Sequence, residues 1–132
     1  MKTEKIEGNT LISEFMGQKF YAYKGNHSYK KGFKSYKKCE DFILKNKLEG
    51  YAPEIGWKMG LGKYDSSWDS LIPVVEKIED MKIMMEITLS TVNVFSSLNG
   101  FDDFYVKGKT KKAAVWLAVV EILKWCNQNN NQ

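Results

Sequence analysis

The stretch 110–127 constrains this chain more than any other. Val115, Trp116, Val119, Ile122, Leu123 and Cys126 recur at helical spacing, with Ala118, Val120 and Trp125 beside them. Between Ala113 and Cys126 only Glu121 and Lys124 interrupt the apolar surface. A helix that is apolar nearly all the way round has to be covered on several sides. It therefore belongs at the centre of a core or in a homodimer interface. Each large side chain that it buries contributes roughly 1.5–3 kcal/mol. The polar tail 128–132 is expected to fray.

A partner for this helix is legible at 66–80. Trp68, Leu71, Ile72, Val74, Val75 and Ile78 fall on one face of a helical wheel, and Ser66 with Asp69 reads as a capping box. Pro73 either interrupts the second turn or, if the helix starts at Ser70, falls harmlessly in the first. Between the two helices lie strand-like runs at 82–89, 91–95 and 104–107, the first two joined by a tight turn near Ser90. Upstream, Leu11, Ile12, Phe15 and Met16 give a short helix at 9–16, capped by Asn9 or Thr10 and ended by Gly17. Alternation over 19–24 predicts a strand with a turn at Gly25-Asn26. A further helix is expected at 35–47, with Tyr36, Cys39, Phe42, Ile43 and Asn46 on one side. The glycine-rich stretch 48–63 reads as loop with one short extended piece. The fold class is α+β: a small antiparallel sheet packed against two main helices, about 67–80 and 110–127, with a short N-terminal helix. At 132 residues, with no repeat and no linker, one domain spanning 1–132 is the natural reading.

Charge is segregated along the chain. The whole protein carries a formal +4, yet residues 18–38 hold seven lysines, six aromatic rings and no acid. Lysines interleaved with rings are what low-specificity nucleic-acid sites use, the cations for phosphate and the rings for stacking on bases. Tyr29, Lys30, Lys31, Phe33, Lys34, Tyr36, Lys37 and Lys38 are the candidate contacts. The competing reading puts the rings in the core and leaves the lysines as a solvated outer face. All 20 basic residues are lysine. Without arginine there is no bidentate reader of guanine, so the expectation is diffuse phosphate attraction or a protein partner.

A second basic cluster, Lys109, Lys111 and Lys112, stands at the start of the last helix, where the dipole disfavours cations. Gly108-Lys109-Thr110 is similar to the end of a phosphate loop, but the first glycine of that motif would have to be residue 103, which is Asp103. A plain solvated helix start is the competing reading.

Signals of catalysis are thin. His27 is the only histidine, so a two-histidine metal site within one chain is excluded. Cys39 and Cys126 form no CxxC pair, and Cys126 sits in an apolar pattern where a thiol packs as a small hydrophobe. No enzyme, no cofactor and no metal are expected. No apolar run reaches the ~18 residues of a membrane span, and the charged start MKTEKIEGNT is unlike a signal peptide. A cytoplasmic protein with reduced thiols is the expectation.

SSWDSLIPVVEKIE at 66–79 and AAVWLAVVEILKWCNQN at 113–129 resemble segments of small uncharacterised proteins of bacteriophages and prophage-bearing bacteria, which also begin with a short helix like LISEFMG at 11–17. The resemblance covers about a third of the chain. It implies a phage-associated origin, a location in the host cell and an α+β arrangement, with no activity, cofactor or catalytic residue to carry over. The basic aromatic stretch departs from it. The expected function is a non-catalytic phage accessory protein that binds RNA, single-stranded DNA or a nucleic-acid-handling host protein. Inhibition of a host defence nuclease of the CRISPR type is one concrete form. The alternative is a protein–protein interaction module with a tyrosine-rich interface.

Overall fold

The computed structural model describes residues 2–25, 27–55 and 64–130. The elements in order are α1 Lys2–Phe15, β1 Phe20–Lys24, β2 His27–Ser28, α2 Tyr36–Lys45, β3 Ala52–Ile55, α3 Trp68–Asp80, β4 Ile83–Thr88, β5 Thr91–Ser96, β6 Phe104–Lys107 and α4 Lys111–Asn130. The α+β class holds, but the strands make two three-stranded antiparallel sheets, ordered β2-β1-β3 and β4-β5-β6. The chain divides into two compact units. One comprises residues 1–12 and 63–132, the other 13–62, and the division falls within α1. The expected turn residue Asn26 and the loop part 56–63 lie outside the described residues.

In the larger unit α4 packs on β5 and β6, and α3 packs on α4 and β4. Strand alternation sends Ile83, Val92 and Val94 to the helix-covered face, all essentially inaccessible. The inward set read from the α4 sequence is buried throughout, and Ala114, Ala118 and Val120 join it. The solvent strip is Leu117, Glu121, Lys124 and Gln128, a single line at helical spacing. The helix runs on to Asn130, so most of the supposed frayed tail is helical.

Two details of α3 differ from expectation. The helix begins at Trp68, so its cap is Ser67, whose Oγ accepts from the Ser70 amide at 3.3 Å, and Ser66 is not the cap. Pro73 then lies in the second turn, on the exposed side, where its lost ladder bond costs least. Ile72 is 46% exposed, because the sheet and α4 cover only the face of Leu71, Val74, Val75 and Ile78.

The first helix is longer than expected and begins at Lys2. Asn9 and Thr10 are therefore interior residues. Thr10 Oγ1 donates back to the Ile6 carbonyl at 2.7 Å. Asn9 links α1 to α4 and to the turn before α3: its Oδ1 accepts from Trp116 Nε1 at 2.8 Å, and its Nδ2 donates to Asp65 Oδ1 at 2.8 Å. Lys5 Nζ stands 3.8 Å from the other Asp65 oxygen. Asn9→Ala leaves the indole N–H of a buried tryptophan unpaired, so a loss of about 1–3 kcal/mol is expected in urea denaturation. Lys5→Ala removes only an exposed ion pair and is expected to leave the midpoint unchanged. Gly17 ends α1 as anticipated. At φ +76° it takes the left-handed cap position, with Gln18 N bonded to Ser13 O at 3.0 Å and Gly17 N to Glu14 O at 3.1 Å.

The smaller unit lays α2 over one face of β2-β1-β3. Phe20 and Ala22 of β1 meet Cys39 and Ile43 of α2, with Phe33, Tyr36, Phe42, Leu48 and Tyr51 packed around them. Ser35 caps α2, its Oγ accepting from Lys38 N at 3.1 Å. Asn46, expected on the inner side, is the exposed C-cap instead. Pro53 is tolerated because β3 is an edge strand, paired only with β1.

Candidate nucleic-acid interface

Residues 27–33 run back along β1 and carry the first candidate contacts. Tyr23 pairs with Ser28 and Lys24 with His27, and Tyr29 N donates to Ala22 O at 3.0 Å. Unbroken, that register would set Phe20 opposite Lys31. Phe20 instead bridges Phe33, with N···O distances of 2.7 and 2.8 Å in the two directions. Two extra residues have therefore been taken up between Tyr29 and Phe33. Such an insertion interrupts the ladder and blunts a free strand edge. Here the stretch that takes them up is Lys30-Lys31-Gly32; Lys30 and Lys31 are both exposed, as is Lys34 beyond it.

The rings go the other way. Phe33 packs on Phe42 at 5.1 Å between centroids, and Tyr36 meets Phe20 edge-on at 5.8 Å. Tyr29 touches Phe42 at 5.6 Å and Tyr51 at 5.4 Å and remains 38% exposed. Phe33 and Tyr36 are partly buried against the core of Phe20, Ala22, Cys39 and Ile43, and Tyr29 is the most exposed of the three. The alternation of ring and lysine is the pattern of a half-buried edge: rings inward on α2, cations outward.

The cations of this segment are sparsely paired. Lys37 Nζ approaches Asp41 Oδ1 at 3.8 Å across an exposed helix face, a contact of little weight. Lys31 Nζ lies 5.3 Å from the Phe33 ring centroid. Lys30, Lys31, Lys34 and Lys38 have no carboxylate within ion-pair distance among the described residues. Lys37 and Lys38 occupy the first turn of α2, which holds no acid of its own. The acid comes from α1: Glu14 Oε2 accepts from the Tyr36 amide at 3.0 Å. Glu14 was not legible as a capping partner, since it lies 22 residues away in sequence. By sequence the smaller unit holds ten lysines against five acids, a formal +5, whereas the larger unit sums to −1.

The second cluster belongs to the larger unit and has a structural explanation. Thr110 Oγ1 accepts from Ala113 N at 3.1 Å and so caps α4. A Cβ on Gly108 would stand 2.5 Å from Ala114 N and 2.9 Å from Ala113 C, so the chain passes the helix start too closely for any side chain. The Gly-Lys-Thr triplet is a tight cap. Lys112 Nζ is tethered to Ser66 O at 3.1 Å, while Lys109 and Lys111 are exposed. Gly108→Ala should lower stability by about 1–3 kcal/mol, read from the thermal midpoint, because backbone has to move.

Both thiols are buried, and burial raises the pKa of each above the ordinary range. Burial also raises Tyr36, with smaller contributions from Glu40, Glu54 and Cys39. A group that holds its proton more tightly when folded stabilises the fold fully below its ordinary pKa, and that stability is lost as pH rises through the folded value. Cys39 and Cys126 are therefore expected to resist Ellman's reagent at pH 8 until denaturant is added, and stability should fall in the alkaline range above about pH 8.5.

Among the described residues no group of three or more His, Cys, Asp or Glu side chains could hold a metal ion, and no helix is long and apolar enough to cross a membrane. Compared with known proteins, the chain matches no family model, no curated protein and no solved structure.

Proposed function

We propose that this is a non-catalytic, phage-type accessory protein whose unit 13–62 binds the phosphate backbone of RNA or single-stranded DNA, alone or within a nucleic-acid-handling host complex. The observation that carries this reading is the lysine insertion in the strand edge. Its Lys30 and Lys31 are exposed, as are Lys34, Lys37 and Lys38, on a unit of formal charge +5. Unpaired surface cations attract polyanions without regard to sequence, and the absence of arginine fits backbone contact over base readout. The inward rings narrow the mode of binding. Tyr29 is the most exposed of the candidate rings and the best placed to stack, so attraction to phosphate carries most of the affinity. Inhibition of a host defence nuclease is the form of this function that agrees with the phage resemblance.

The test is fluorescence anisotropy with labelled single-stranded RNA and DNA. At ~50 mM salt a saturable rise is expected, lost steeply by ~200 mM. No change at ~50 mM salt would overturn the reading in favour of the tyrosine-rich protein module. That alternative draws on Tyr21 and Tyr23, half-exposed on the sheet face opposite α2 with centroids 6.4 Å apart.

A further inference from the structure

The larger unit leaves one sheet edge without protection. A free strand edge displays unpaired amides and carbonyls, and proteins blunt it with short strands, lysine, proline or bulges. Three of the four edges in the two sheets carry such a device. The β2 strand has two residues and runs into the Lys30-Lys31-Gly32 insertion. Strand β3 carries Pro53, and β6 has four residues and ends in Lys107. The fourth edge, β4, has none. Its six residues, IMMEIT, pair with β5 without a break and include neither lysine nor proline.

Which backbone groups of β4 face outward follows from the ladder. Ser90 O accepts from Gly108 N at 2.9 Å, on the β6 side of β5. Bonding alternates along an antiparallel strand. Val92 and Val94 therefore bond to β6, and Thr91, Asn93 and Phe95 bond to β4. The partners of the latter, Thr88, Glu86 and Met84, face into the sheet. The N–H and C=O groups of Ile83, Met85 and Ile87 point out from the edge, and no described residue bonds to them. Ile87 shares the helix-covered face with Ile83 yet is 39% exposed, so that cover stops short of the edge there.

We infer that β4 pairs with the β4 of a second copy of this chain, antiparallel about a two-fold axis at Met85. That axis sets Ile83 against Ile87, Met85 against Met85 and Ile87 against Ile83. Each pair then exchanges both backbone bonds, and the whole outward row is satisfied. Moving the axis to Met84 or Glu86 leaves one residue of the row without a partner in the strand. At Glu86 it also sets two like charges directly opposite one another, which is destabilising. The Met85 axis instead places each Glu86 opposite Met84 of the other copy. The edges left outside are the two β6 strands, short and ending in Lys107, so growth stops at the dimer. The pairing goes beyond the nucleic-acid reading, and every residue in it belongs to the other unit.

Sedimentation velocity of the full chain from ~5 to ~500 µM tests it. One strand pair is a small interface, so a monomer–dimer equilibrium in the micromolar range is expected. Met85→Pro removes an N–H that faces outward, which an edge strand tolerates, and should weaken the dimer more than about tenfold. Ile87→Lys puts a charge on the same edge and should do likewise. Circular dichroism should be unchanged in both, and should one of them fail to fold, the other decides. Under oxidation Met85→Cys should give a covalent dimer, because directly paired Cα atoms lie about 5.5 Å apart, whereas Met84→Cys should not. A chain that stays monomeric at ~500 µM overturns the inference and leaves the edge to a strand of another protein. A dimer that both Met85→Pro and Ile87→Lys leave intact also overturns it, as does one that only Leu117→Glu abolishes, since that dimer runs through α4. Cross-linking through Met84→Cys and not Met85→Cys overturns the register.

Discussion

Ile122→Ala is expected to cost the larger unit about 2–5 kcal/mol, whereas Leu117→Ala, five residues away on the same helix, should stay within about 0.5 kcal/mol. Ile122 is wholly inaccessible, and Leu117 is 37% exposed on the solvent strip. Deleting buried methyl and methylene groups removes their transfer energy and leaves a cavity that the sheet and α3 cannot close. At Leu117 water already reaches the side chain. Urea denaturation followed by circular dichroism separates the two. Equal losses would mean that Leu117 is covered in solution, as it would be in a dimer through α4. Light scattering on the same samples then decides whether the helix serves a second copy.

The second large effect is on binding. Lys30→Glu, Lys31→Glu and Lys34→Glu together should reduce affinity for single-stranded RNA by more than tenfold at ~50 mM salt. The slope of log affinity against log salt should flatten by about 2, because three phosphate contacts at ~0.7 ions each are lost. The circular dichroism spectrum should not change. The three side chains are exposed, and among the described residues the one contact given up is that of Lys31 with the Phe33 ring. Reversal of Lys109 and Lys111 is the matched control, since they lie in the other unit. If that pair weakens binding as much as the triple change, the edge lysines have no special role.

Much of the architecture was legible because it is local. The face of α4 follows from residues three and four apart, and the hairpin at 83–96 from an Ile- and Met-rich run, a tight turn and an alternating run. Both survive in the structure with boundaries moved by a few residues. The α3 cap moved from Ser66 to its neighbour Ser67 for a reason equally local: both carry a hydroxyl just before the helix, and only backbone geometry picks one. Asn9 and Glu14 were missed because their partners lie 107 and 22 residues away and neither has a periodic signature.

The candidate interface divides in the same way. Its lysines could be named from the sequence, since charge density needs no coordinates. The direction of its rings could not, because alternating lysine and aromatic residues describe a stacking platform and a half-buried edge equally well. The register decided it. Pairing Phe20 with Phe33 turns that ring onto α2 and expels two lysines. The sequence by itself determined the α+β class, the burial of the last helix and the concentration of positive charge in 18–38, all properties of short windows. Only the tertiary structure decided that the strands form two sheets, that Phe20, Phe33 and Tyr36 turn towards α2 and that Gly108-Lys109-Thr110 is a tight cap. Those outcomes depend on pairings across the chain, where the free energy of burying a ring outweighs any local preference for its position.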